Sequence, residues 1–330
     1  MIDTNTCIEL VLITAKVIIV SSILFALPIP LTWIERKVAG HIQLRLGPFR
    51  VGWHGILQPV ADMIKLMFKE DIIPERADKW LFKLAPIISL VPIFLTFATV
   101  PVGENITVLG KEITLYISDM NVGILYILAV AGIGIYGLIL GGWASNSKYA
   151  LLGSIRSSAQ MISYELALSF AAIGVVMVTN SLSLVDIVNS QKATTWNICY
   201  QPLGFIIYLI AGLAEINRIP FDLSEDEGTL AAGYHVEYSS MRFSFFMLAE
   251  YVAMVLMSVL AVVLFFGGWS GPILPPIAWF VIKVAAFIYF FMWVRFTFPR
   301  YRYDQLMTIG WKILLPLSLL NILITGLFVI

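Results

Sequence analysis

Six carboxylates and two arginines crowd a single stretch of this 330-residue chain. The segment AEINRIPFDLSEDEGTLAAGYHVEYSSMR, from Ala214 to Arg242, carries Glu215, Asp222, Glu225, Asp226, Glu227 and Glu237 together with Arg218 and Arg242. Solvating so many acids beside apolar helices is costly, so the cluster points to an ion or proton path, or to a polar cavity reaching into the protein. Other chemistries find little support. The two cysteines, Cys7 and Cys199, and the three histidines, His41, His54 and His235, have no metal-ligand spacing. The chain is therefore expected to hold neither a zinc ion nor an iron–sulfur cluster by itself. Gly132, Gly134 and Gly137 spell GxGxxG but lie inside an apolar run with no preceding strand, which argues against a dinucleotide fold. Gly137 and Gly141 instead make a small-xxx-small face suited to close helix packing. With no nucleophile and base pair and no phosphate loop in view, no catalytic residue is expected.

The elements that must position these acids follow from composition. Hydrophobic residues make up 59% of the chain and charged residues 13%, and the mean hydropathy is +0.89. These values are those of a polytopic membrane protein, predicted as all-α and as a single membrane domain over residues 1–330. The net charge of zero offers no argument for a nucleic-acid partner. The N-terminal MIDTNTCIEL has acids and no basic residue, which favours a retained first span over a signal peptide. Eight transmembrane helices are predicted over 9–33, 81–103, 122–143, 159–179, 201–217, 243–267, 277–298 and 309–330, the fifth being short. Seventeen basic residues fall in or beside the odd-numbered connections and only Lys111 and Lys192 in the even ones. The odd connections are thus expected to face the cytoplasm or matrix, and both termini the opposite side.

On this topology Glu165 and Glu250 each lie about seven residues into a span that starts on the basic side, roughly 10 Å deep at 1.5 Å per residue. Glu215 sits near the inner end of the fifth span. An ionised acid at mid-helix costs on the order of 3 kcal/mol, so all three are expected to face protein or water. Two readings stay open: proton carriers, or hydrogen bonders that only tie helices together. Lys16 and Lys283, in the outer halves, are expected to snorkel or pair.

The first inner connection, 34–80, has its own architecture. Residues 54–70, HGILQPVADMIKLMFKE, place Leu57, Val60, Ala61, Ile64 and Met67 or Phe68 on one face and Gln58, Asp62, Lys65 and Lys69 on the other. This is the pattern of an amphipathic surface helix. It reads equally as an interfacial anchor or as one wall of a groove that admits a lipid-like ligand sideways. The residues alone support a proton-active membrane subunit with room for an amphiphile.

Several motifs occur in order at matching spacing: ERKVAGHIQLRLGP at 35–48, QPVADMIKLMFKE at 58–70, GWASNSKYALLGSIRSSAQMISYE at 142–165, AEINRIPFDLSEDE at 214–227, GYHVEYSSMRF at 233–243 and RFTFPRYRYDQLMTIGWKILLP at 295–316. Across nearly the whole chain they resemble the quinone-site membrane subunit of respiratory complex I, the NADH-quinone oxidoreductase H-subunit family. That resemblance implies eight transmembrane helices and a surface helix docked under a peripheral arm, in a bacterial inner membrane rather than a mitochondrial one. It implies quinone as substrate and no cofactor on this chain, with FMN and the iron–sulfur clusters in partner subunits. The implied partners are the peripheral-arm quinone-site and iron–sulfur subunits, the small membrane subunits, the antiporter-like subunits and membrane lipid.

Residue by residue, Glu35 and Arg36 match the family's tunnel-mouth pair. Arg45, Asp62, Lys65, Glu70 and Arg295 match positions along or near the tunnel. Glu165, Glu215, Glu225, Glu227 and Glu250, with Asp222 beside them, match the acidic chain that links quinone chemistry to proton translocation. Arg300, Arg302 and Asp304 match the basic inner connection before the last helix. One departure is Thr229, where many members carry a further Glu. Two other readings remain: a homologous anchor of a membrane-bound hydrogenase or ferredoxin- or F420-linked dehydrogenase, and an autonomous ion transporter.

Overall fold

In lipid only a helix, or a closed barrel, satisfies every backbone N–H and C=O, so apolar runs of this length become helices. The computed structural model describes the backbone of residues 4–104, 106–108, 111–222 and 232–329, and side chains over 9–104, 114–222 and 232–328. Its helices are α1 (Thr4–Ala26), α2 (Pro28–Ile42), α3 (Gln58–Phe68), α4 (Lys79–Thr96), α5 (Gly123–Ala144), α6 (Lys148–Thr179) and α7 (Leu184–Ala193). They continue with α8 (Asn197–Tyr200), α9 (Pro202–Glu215), α10 (Ser240–Phe265), α11 (Pro276–Thr297), α12 (Tyr303–Thr308) and α13 (Leu315–Val329). A π-helical turn over Ile309–Leu314 joins the last two. Among the described residues the one departure from an all-α fold is an antiparallel hairpin pairing Ile106–Val108 (β1) with Lys111–Ile113 (β2).

Among the described residues seven helical segments are long and apolar enough to cross a membrane, and α9, predicted as the short fifth span, is an eighth apolar helix of only 14 residues. The first of the seven runs through Glu9–Ile42, past the predicted end at residue 33. Leu27 keeps helical angles. Its N–H donates to Ile23 O at 2.8 Å and Leu31 N–H to Leu27 O at 3.2 Å, so the axis carries through Pro28 and Pro30. Likewise α6 begins at Lys148 rather than 159, and the 97–103 end of the predicted second span is not helical.

The core is built around α10, which is largely apolar and mostly buried within the chain, whereas the first span buries few residues until Leu31, Glu35, Ala39 and Gly40 near its end. Glycines set the spacing of α5. A Cβ on Gly137 would stand 2.5 Å from Ser89 N, so α4 packs directly against it, and one on Gly141 would meet Phe246 and Ala85 at 3.3 and 3.6 Å. These two positions act as the small-xxx-small face predicted for them. Lys283 does not snorkel, and among the described residues it forms no ion pair. Its ammonium donates to the carbonyls of Phe266, Gly268 and Ser270 at 2.7, 3.1 and 2.7 Å and lies 4.8 Å from the Trp196 ring, tying off the end of α10. Lys16 donates to Thr114 Oγ1 at 2.7 Å, fastening α1 to the segment after the hairpin.

The surface helix begins later than its sequence suggests. His54 and Gly55 have φ of 51° and 77°, which interrupts a helix, and Pro59 then sits in the first turn of α3. Pro59, Met63 and Leu66 turn towards the protein, while Leu57, Ile64, Met67 and Phe68 remain exposed. The helix therefore has an outward apolar face as well as a packed one.

Candidate functional site

Arg218 is the only Lys or Arg between Lys192 and Arg242. It follows the end of α9, where Asn217 takes a left-handed turn (φ 54°). The guanidinium is 2% exposed. Its Nε donates to Glu250 Oε1 at 2.7 Å and its Nη1 to Glu35 Oε2 at 3.1 Å. Glu35 also accepts from Tyr251 OH at 2.7 Å and pairs through its other oxygen with Arg295. The Tyr251 ring lies 4.7 Å from the Arg218 guanidinium. Burial alone would favour a neutral Arg218, but Glu250 and Glu35 outweigh it and hold the group charged, above its usual range. Four elements, α2, α10, α11 and the turn after α9, are thus drawn together by two acids and two arginines.

Of these groups Arg218, Glu250, Tyr251 and Arg295 border a cavity of about 260 Å³, whose other walls are Asn217, Asp222, His235, Phe243 and Met247. Within it Arg218 Nη2 and His235 Nδ1 are buried without a hydrogen-bond partner among the described residues. Burial pushes the His235 imidazole down to about 4, so it is neutral near pH 7. Phe243, Met247 and Tyr251, spaced four residues apart on one face of α10, also line a second, mainly apolar groove of about 240 Å³. That groove runs between α2, through Pro28, Ile29 and Thr32, and α3, through Pro59, Met63 and Leu66. An apolar groove and a charged chamber thus share one wall.

Arg36 stands at the groove, not in the chamber. Neighbours in a helix point about 100° apart, so Glu35 turns inwards while Arg36 reaches α3 and pairs with Asp62 at 2.5 Å. Partial burial pushes the Asp62 carboxyl up, but hydrogen bonds from Arg36 and Gln58 and the charges of Arg36 and Lys65 win and hold it below the usual carboxylate range. Arg45, Lys65 and Glu70 are exposed. The chain at Glu70 is fixed by its carbonyl, which accepts from Ser239 Oγ at 3.2 Å, and by the ion pair of Asp71 with Arg242 at 2.9 Å.

Glu165 and Glu215 form a separate group. They lie within electrostatic reach of each other across the α6–α9 contact, and neither has an ion-pair partner among the described residues. Glu215 Oε2 is buried with no hydrogen-bond partner among them. Gln160 braces this contact by donating to the carbonyls of Ala214 and Phe221 at 2.8 and 2.9 Å. The three acids read from sequence as one register therefore divide, Glu250 joining Arg218 and the other two standing apart.

Asp222 links the acidic connection, 215–243, to the basic one: Arg300 approaches it to 3.6 Å, and Tyr301 N–H donates to Pro220 O at 3.1 Å. Arg302 and Asp304 pair with each other on the surface at 2.5 Å. Glu225 and Glu227, with Asp226 and Thr229, lie outside the described residues. Sequence reasoning named Arg218 as part of the charged stretch without giving it a partner, did not single out Tyr251, Asn217 or Gln160, and weighed His235 only as a metal ligand. The isolation of Arg218 among acids was the available signal; the others carry none in a single sequence.

The family described as NADH dehydrogenase matches residues 14–326. The NADH-quinone oxidoreductase H subunit, form 2, of Rhizobium meliloti (strain 1021) is 63% identical over 321 residues, covering 97% of this chain and 98% of that protein. Form 2 of the same subunit from Rhizobium etli is 62% identical over 317 residues, 96% of this chain and 93% of its own. Form 1 from Geobacter sulfurreducens is 54% identical over 327 residues, covering 96% and 94%. Coverage of this extent, with the motifs in order along a membrane-helical fold, establishes that the chain belongs to the NADH-quinone oxidoreductase H-subunit family.

Proposed function

We propose that this chain is the membrane subunit of a proton-pumping NADH:quinone oxidoreductase that admits quinone from the bilayer and couples its reduction to proton movement. The observation that carries the reading is the wall shared by the apolar groove and the charged chamber. An isoprenoid tail needs an apolar passage, and a headgroup that gains two electrons and two protons needs polar groups near the end of it. The groove between α2 and α3 supplies the first, and Arg218, His235 and Glu250 line the second.

The coupling step rests on the acids. Reduction changes the charge and proton demand near the chamber, where Glu250, paired with Arg218, takes up the change first, and Glu165 and Glu215, with Asp222, Glu225 and Glu227, respond by changing protonation and pass the signal sideways. Two carboxylates within electrostatic reach of each other, with no cation paired to either among the described residues, are an arrangement in which one proton can be shared. In this reading Arg295, Arg45, Lys65 and Glu70 flank the quinone path, and Arg300 and Arg302 face the peripheral arm, where FMN and iron–sulfur clusters in partner subunits deliver electrons. The chain itself holds no redox group. The basic connections face the cytoplasm of a bacterial inner membrane, with both termini on the outer side.

A bulky residue in the shared wall tests the path. Met247→Trp in the assembled complex is expected to abolish reduction of long-tailed quinone while leaving NADH oxidation by ferricyanide intact. Equal loss of both activities, or loss of neither, would remove the passage from the account.

A further inference from the structure

The three glycines of the GxGxxG stretch serve two different neighbours. Gly134 and Gly137 lie against Ser89 of α4, whereas Gly132 faces α6. A Cβ built on Gly132 would stand 2.8 Å from Glu165 Oε1 and 3.6 Å from Glu165 Oε2 and Cδ. The acid therefore rests its carboxylate on the bare backbone of α5. Glu165 makes no hydrogen bond or ion pair with the described residues that would hold it there instead. At Gly142, ten residues along the same interface, the close neighbours are the short Ser154 side chain, both Oγ and Cβ, and the Ala150 backbone carbonyl at 2.6 Å, which is helix-to-helix packing. Gly132 differs, because the atoms it makes room for are all at the far end of a flexible side chain. Nothing in the helix packing itself requires a glycine there, and in a helix interior glycine is among the least favoured residues.

We propose that Gly132 is a positioning residue for Glu165: the missing side chain is the seat that aims this carboxylate for exchange with its partner acid. The inference rests on the coupling role proposed for Glu165. Adding a methyl group at 132 pushes the carboxylate off its seat without displacing α5 or α6, since the end of Glu165 can rotate away. Proton movement then suffers while the fold and the quinone path do not. Small displacements of reacting groups lower rates steeply, on the order of a hundredfold for about 1 Å, so a severalfold fall is expected even when the acid finds a nearby position.

The test uses the assembled complex in inside-out membrane vesicles, measuring NADH-driven proton uptake per quinone reduced and its pH profile for Gly132→Ala in three backgrounds, Glu165, Glu165→Asp and Glu165→Gln. A seat for the carboxylate predicts a severalfold fall and a shifted profile with Glu165. It predicts a smaller effect with Glu165→Asp, whose shorter arm withdraws from the new methyl, and none with Glu165→Gln, where no proton is carried. An equal fall in all three backgrounds would assign Gly132 to packing alone and overturn the inference, as would a silent Gly132→Ala beside a damaging Glu165→Gln. If Glu165→Gln is itself silent, the coupling role falls and the positioning role with it. Complex content on native gels, expected to be unchanged for Gly132→Ala, separates any of these from a failure to assemble.

Discussion

Two acidic sites lie in the same helical bundle and are built on opposite plans. Around Arg218, two carboxylates meet two guanidinium groups and a tyrosine hydroxyl, and four elements depend on their staying paired. Around Glu215 and Glu165 there is no cation among the described residues, and Glu215 leaves a buried oxygen without a partner. The first arrangement holds the protein together and shapes a chamber. The second has no such ties among the described residues and is the one proposed to change its protonation. A buried acid in a membrane protein is thus not one kind of object: its partners decide whether it is a fastening or a carrier.

The sharpest way to break this contrast is at Arg218. Arg218→Leu leaves Glu35 and Glu250 facing each other in a buried site, and removing one partner of a buried pair typically costs about 3–5 kcal/mol. Loss of assembled complex on native gels, or a large fall in its thermal midpoint, is the expected result. Arg218→Lys is expected to recover only part of it, since an ammonium cannot bridge two carboxylates with a planar fork.

The chamber has a pH signature of its own. His235 titrates at about 4 in the folded chain and at 6.5 in its reference state. Between those values the unfolded chain binds more protons than the folded one, so stability falls as pH drops below about 6.5 and levels off below about 4. The full effect is on the order of 3 kcal/mol. His235→Gln should flatten that slope in thermal unfolding of the detergent-solubilised complex, and an unchanged slope would place the titration elsewhere.

Smaller changes sharpen the comparison. Tyr251→Phe removes the hydroxyl that donates to Glu35 at 2.7 Å. A buried acceptor deprived of one donor loses roughly 1–3 kcal/mol, to be read as a lower thermal midpoint with the chain still assembled. Asp62→Asn, at the half-exposed pair with Arg36, should change stability by no more than about 1 kcal/mol. Its effect should appear instead in the apparent KM for quinone, because the pair stands at the groove.

Much of this was legible in the residues. Continuous apolar runs predict the spans because lipid leaves the backbone no alternative, and the departures sit at ends that hydropathy does not mark, such as α2 running on to Ile42 with Glu35 on its buried face. That Glu165, Glu215 and Glu250 fall on apolar helices was readable from hydropathy. Their division into two groups was not, because it depends on which way Arg218 turns after the left-handed Asn217. The outward apolar face of α3 was readable from periodicity, whereas the packed face with Pro59 and Met63 is set by contact with α2 and α10. Tyr251 and Gln160 look like any interior polar residue until the partners that chain topology brings them are known.

The central claim is that the cation-free acids carry the coupling while the Arg218 cluster carries the structure. Proton translocation per quinone reduced, measured in vesicles for Glu215→Gln beside the unaltered complex, tests it most directly. A complex that assembles fully but pumps several times less is the predicted result. Full pumping and full quinone reduction with Glu215→Gln, and likewise with Glu165→Gln, would contradict it.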